Sequence, residues 1–169
     1  MSEPILDSFR HNAWATRVLL QFCKGLKPDR LEAAAVGGYG SIAETFKHLL
    51  TAESYYSATF TGSFPDWRVE ADVTPPLPEM EQWALDVASI WESILSGQVD
   101  GDALLTRKRR DGGIMEARAG AMLTQALHHS NVHREQISAS LTVCGIEPPD
   151  ISGWGYGRAS GRISSPGAN

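Results

Sequence analysis

The spacing of its helix breakers is what most restricts this chain. Gly25 and Pro28, then Gly62 with the proline-rich run to Pro78, then Gly145 with Pro148 and Pro149, interrupt any helix that reaches them. Four long stretches lie between these points, and each repeats its apolar residues at helical spacing. The first covers Pro4 to Lys24, with Leu6, Phe9, Ala13, Leu20 and Cys23 on one face. Ser41, with Glu44 three residues later, forms the pattern of a capping box opening the second, which carries Ile42, Phe46, Leu49, Tyr56 and Phe60 and stops near Thr61–Gly62. The third runs from about Pro78 to Leu95, with Met80, Trp83, Val87, Ile90, Trp91 and Ile94. The fourth runs from Gly120 to Cys144. Between the third and fourth, Asp111-Gly112-Gly113 is a turn signal between two short runs that can pair as a hairpin. The pattern predicts an all-α four-helix bundle over residues 1–145, with a short β-hairpin between helices three and four. The long connection from helix two to helix three permits a crossover. Residues 146–169, rich in Gly, Pro and Ser, read as an irregular tail packing partly on the bundle, with a mobile end.

Composition narrows the function classes. The chain has 169 residues and a formal net charge of −5, which argues against general binding to nucleic acid, because phosphate neutralisation needs surplus Lys and Arg. The basic run Arg107–Arg110 is followed directly by a turn and has no interleaved aromatics, so it reads as a solvated hairpin strand. The segment "GYGRASG" at 155–161 follows prolines rather than a strand and lacks the context of a phosphate loop. Two cysteines, Cys23 and Cys144, make no disulfide framework or zinc spacing. The opening "MSEPILDSFRHNAW" has no export-signal pattern, and no apolar run suits a membrane span. The expectation is a cytoplasmic protein without a membrane or nucleic-acid partner.

The chemistry lies in "TQALHHSNVHREQ", residues 124–136, which holds three of the five histidines. His129 and His133 are four apart, so a helix stacks them on one face. They share a stripe with Met122, Ala126, Ile137, Ser140 and Cys144 that should look into the bundle, whereas His128 points about 100° away. Two inward imidazoles need partners, and a divalent metal supplies one to both rings. A surface pair without metal is the plainer reading of these two residues alone. A third ligand would change that balance: His48, in "ETFKHLLTAESYY", is the best placed and His11 is the rival.

Three segments in order, "HNAWATRVLL", "HLLTAESYY" and "HHSNVHREQI", resemble the DinB/YfiT-like superfamily of bacterial metal-binding four-helix bundles over residues 5 to about 144. The resemblance implies a mononuclear metal held by one histidine of helix two and two of helix four, here His48, His129 and His133. It departs at Val132, where many members carry another histidine, and at Glu135, where a small residue is usual. Three His ligands leave a coordination position open, as catalytic sites require. Zn²⁺ or Ni²⁺ are the first choices, with Fe²⁺, Cu²⁺ or Mn²⁺ as alternatives. The family includes enzymes that use low-molecular-weight thiols as S-transferases or isomerases, which implies a thiol cosubstrate and a small-molecule acceptor. Glu44 and Glu53 are candidates for proton acceptor or ligand orientation, against a plainer reading as solvent-facing charges; Asn131 and Gln136 rank below them. A metal-dependent hydrolase is the first alternative, and a metal-binding stress-response protein without turnover the second. Bundles of this kind often pair through a helical face, so a homodimer is expected.

Overall fold

A computed structural model describes residues 3–67, 73–109 and 111–164. In chain order the elements are α1 (Glu3–Lys24), α2 (Pro28–Leu31), α3 (Ile42–Thr61), α4 (Leu77–Ser96), β1 (Leu104–Lys108), β2 (Ile114–Arg118), α5 (Ala119–Val143) and α6 (Gly153–Ala159). The protein is an all-α bundle of α1, α3, α4 and α5 with one antiparallel hairpin. Local chemistry sets the helix ends. Ser41 Oγ accepts from the Glu44 N–H while Glu44 Oε2 accepts from the Ser41 N–H, so two of the unpaired amides opening α3 are satisfied. Gly62 closes α3 at φ 79°, a left-handed conformation that costs a glycine nothing.

Around the bundle, α1 packs on α4 and α5, and α3 packs on α4 and α5. Helices α1 and α3 therefore face each other across the centre, and this is not a simple up-and-down bundle. The crossing steps are the connection 25–41, which includes α2, and the connection 97–118, which includes the hairpin; residues 62–76 join neighbours. The crossover thus falls on either side of the connection that sequence length singled out. Only part of that connection, residues 68–72, lies outside the described residues.

Two apolar clusters make the core. Leu19, Leu20, Phe46, Leu49, Met80 and Ile137 belong to one; Phe9, Val87, Trp91, Leu95, Leu123 and Ala126 belong to the other. Trp83 and Trp91 are buried as expected, while Trp14 is only part-buried. Between the clusters runs a polar layer of Asn12, Thr16, Glu53, Ser130 and Arg134, all buried. Ser130 Oγ and Asn12 Nδ2 donate to Glu53 Oε1 at 2.6 and 2.8 Å. Arg134 Nη1 donates to Asn12 Oδ1 at 2.6 Å and to Thr16 Oγ1 at 3.2 Å. The inward face of α5 is thus broader than the predicted stripe: Leu123, Ser130, Arg134 and Leu141 join it, and Cys144 sits at its edge, part-buried.

The hairpin pairs Leu105 with Ala117 and Arg107 with Met115, and these residues alternate inward while their neighbours face solvent. The basic run is therefore not uniformly solvated. Lys108 and Arg109 are exposed, but Arg107 lies over the rings of Tyr55 and Phe64 at 4.7 and 4.2 Å. Arg110 lies outside the described residues.

Residues 153–159, within the segment expected to be irregular, form α6, because Ser152 Oγ accepts from the Gly155 N–H and starts a turn. Gly157 lets the chain fold back on itself, since a Cβ there would sit 2.3 Å from Ile163 Cδ1. This end clasps α1. Tyr156 donates to Asp7 Oδ1 at 3.1 Å, Arg162 pairs with the same carboxylate at 2.8 Å, and His11 Nε2 donates to the Ile151 carbonyl at 2.9 Å. Trp154 stays exposed, and residues 165–169, the expected mobile end, lie outside the described residues. No helix among the described residues is long and apolar enough to cross a membrane.

Candidate metal centre

Helix geometry carries two of the three imidazoles to one place. His129 and His133 lie one turn apart on α5, and their Nε2 atoms are 3.2 Å from each other. His48 reaches them from α3, which packs along α5, and its Nε2 is also 3.2 Å from His129 Nε2. Among the described residues, these three form the one group of His, Cys, Asp or Glu side chains close enough to share a metal ion. His11 is not part of it: the clasp holds it against Trp14 and Tyr156. His128 is exposed, as the helical wheel requires.

The spacing suits a cation. Tetrahedral coordination with metal–nitrogen bonds of about 2.0–2.1 Å places neighbouring donor atoms about 3.3 Å apart. Without a cation the arrangement is poorly satisfied, because His129 Nε2 offers either one N–H or one lone pair to two neighbouring ring nitrogens. His129 Nδ1 is buried and has no hydrogen-bond partner among the described residues. Burial also disfavours the imidazolium form of every ring. It pushes His129 down to about 4, helped by repulsion from His133, His48 and His128. It lowers His48, with His133 adding to the effect, and lowers His133 against an opposing contribution from Gln136. Each shift favours the neutral imidazole, the form that ligates.

Neighbouring groups orient the rings. Gln136, one turn beyond His133, places Oε1 2.7 Å from His133 Nδ1, and its Nε2 donates to the Gly37 carbonyl at 3.5 Å. A carbonyl only accepts, so the amide nitrogen faces Gly37 and the amide oxygen faces the ring. His133 then carries its proton on Nδ1 and leaves Nε2 bare toward the other two histidines. Tyr39, on the glycine-rich loop before α3, stacks on His48 at 3.8 Å and meets His133 edge-on at 5.6 Å. Tyr39 and the Gly37 carbonyl that holds Gln136 both come from a loop that sequence patterning reads only as a connection.

The carboxylate candidates sit apart from the gathered nitrogens. Glu53 is turned into the polar layer between Asn12 and Ser130. Glu44 holds the α3 cap through Oε2, whose bonds to Ser41 pull its carboxyl below the usual range, and it lines the rim of a hollow beside His48. Asn131 is exposed, while Gln136 makes the ring contact just described.

Fold and geometry together define a four-helix bundle whose third and fifth helices present three histidines able to hold a metal ion. The comparison with family models agrees. Residues 1–162 match the model of the DinB family, and the chain belongs to that family. The match extends past the bundle through α6 and the clasp. No curated protein matches the chain.

Proposed function

We propose that the protein is a metal-dependent enzyme that activates a small thiol for attack on an electrophile, either as an S-transferase that keeps the new S–C bond or as an isomerase that releases the thiol again, with His48, His129 and His133 holding a divalent ion. The observation that carries this reading is the convergence of three imidazole nitrogens with open hollows beside His48. A divalent cation in this setting supplies Lewis acidity, which favours the thiolate form of a bound thiol at neutral pH. The protein contributes orientation. Gln136 fixes the His133 tautomer, and Tyr39 covers one face of His48 and narrows access to it. In a transfer, the sulfur lone pair forms the new S–C bond, the leaving group departs with the electrons of the bond it breaks, and the thiol proton is released to solvent.

Hydrolysis is the second reading, and it asks for a general base beside the site. Glu53 is committed to Asn12 and Ser130, and Glu44 to the helix cap, which favours the thiol reaction. Titrating N-acetylcysteine into Co²⁺-loaded protein tests the choice. A saturable thiolate-to-cobalt charge-transfer band, absent in His133→Ala, is the expected result. Absence of that band, together with metal-dependent ester turnover without thiol, would replace thiol transfer with hydrolysis.

A further inference from the structure

Two hollows of different character flank His48, and His48 and Thr51 form a wall of both. The first, about 370 Å³, is bordered by Tyr39, Glu44, Lys47 and Thr74, a set rich in charge and hydroxyl groups. The second, about 310 Å³, is completed by Ala52, Tyr55, Tyr56 and His129, with no carboxylate, ammonium or guanidinium among the described residues of its lining. An apolar cavity of about 150 Å³ is enough to bind benzene. The second hollow therefore has room for one substituted ring.

Its walls are set in advance. Tyr56 meets His129 edge-on at 5.5 Å and Tyr55 edge-on at 6.1 Å, an arrangement that presents both ring faces and ring edges. The tyrosine hydroxyls are engaged with other residues: Tyr55 Oη lies 3.9 Å from Met115 Sδ, and Tyr56 Oη accepts from Gln125 Nε2 at 3.4 Å. Arg107 further braces Tyr55 by donating to its carbonyl and to Thr59 Oγ1, both at 3.4 Å. Such a cage of rings suits either a flat neutral group or a cation. Arg107 decides between them, because its guanidinium already lies 4.7 Å from the Tyr55 ring centre and would repel a second positive charge.

We propose that the hollow between Tyr55, Tyr56 and His129 is the acceptor subsite, and that it takes the neutral, single-ring aromatic part of an electrophile, leaving the charged hollow across His48 to the thiol. This assignment rests on the thiol-transfer reading above, because it places one substrate on each side of a shared histidine. Tyr55 and Tyr56 thereby become specificity-determining residues.

The test uses full-length Co²⁺-loaded protein and two probes at once. N-acetylcysteine is followed by its charge-transfer band, and 4-fluorobenzyl alcohol by ¹⁹F NMR. The alcohol is expected to bind with the thiol already in place. Tyr56→Leu should weaken it about tenfold. Ala52→Leu, which fills the hollow and removes no ring, should weaken it at least as much while the thiolate band is still formed. Tetramethylammonium should not compete. Equal binding of the alcohol to both variants, displacement of the thiol by the alcohol, or preferential binding of tetramethylammonium would each overturn the subsite. Alcohol binding that responds to Tyr56→Leu and Ala52→Leu in a protein giving no thiolate band would uphold the aromatic subsite and remove the thiol reaction instead.

Discussion

Helix α5 carries two polar stripes side by side, and they are built on opposite terms. His129 and His133 belong to one; their immediate neighbours Ser130 and Arg134 belong to the other, turned about 100° around the helix. The Ser130–Arg134 stripe is closed. Its donors and acceptors meet those of Asn12, Thr16 and Glu53, and Arg134 Nε is the buried atom of the set without a partner among the described residues. The histidine stripe is open: three ring nitrogens face one another, and a fourth, His129 Nδ1, is buried without a partner among the described residues. A buried polar group costs free energy unless it is paired. A closed set therefore serves the fold, while an open set held at ligand spacing serves something that arrives from outside.

Removing His133 should have the largest effect on that contrast. His133→Ala is expected to reduce bound metal from about one ion per chain to none, by elemental analysis after loading and desalting, while the metal-free variant melts close to the metal-free parent. Retained stoichiometric metal would place the ion elsewhere. Next comes Arg134→Met, which removes the positive charge acting on the buried Glu53 carboxylate along with the donors to Asn12 and Thr16, and should destabilise the metal-free fold by about 3 kcal/mol in urea unfolding. A change below about 0.5 kcal/mol would show that the closed stripe contributes little. Gln136→Leu probes the seam between the stripes' surroundings and the rings. It should weaken Zn²⁺ binding by about 10- to 100-fold, measured by competition with a chelator, and should leave stability nearly unchanged. Thr16→Val should be the mildest, at about 1 kcal/mol of stability with metal affinity intact. If Thr16→Val altered metal affinity as much as Gln136→Leu does, the two stripes would be one network.

Much of this was legible in the residues. Capping chemistry at Ser41 and Glu44, the Gly62 stop and the 111–113 turn mark the elements, because these signals act within a few residues. The four-residue spacing of His129 and His133 is likewise local. The polar layer was not legible: Arg134 and Glu53 are charged residues of kinds usually found outside, and only the α1–α3–α5 meeting point makes burial of both tolerable. That same omission made the inward stripe of α5 too narrow. His11 and His48 look alike in sequence, each in an amphipathic helix. What separates them is tertiary: α3 lies along α5, while α1 presents His11 to the Ile151 carbonyl. Tyr39 and Arg107 belong to loop and hairpin segments, whose inward contacts depend on where the crossing connections run.

The clasp between α6 and α1 joins residues 149 positions apart in the sequence. Asp7 and His11 meet Ile151, Tyr156 and Arg162 there. During synthesis, the outer side of the opening helix must therefore wait, uncovered, until residue 162 has cleared the ribosomal exit tunnel. Closure of this contact is consequently a late step of folding, and a group attached directly behind the clasp would be carried alongside the first turns of α1.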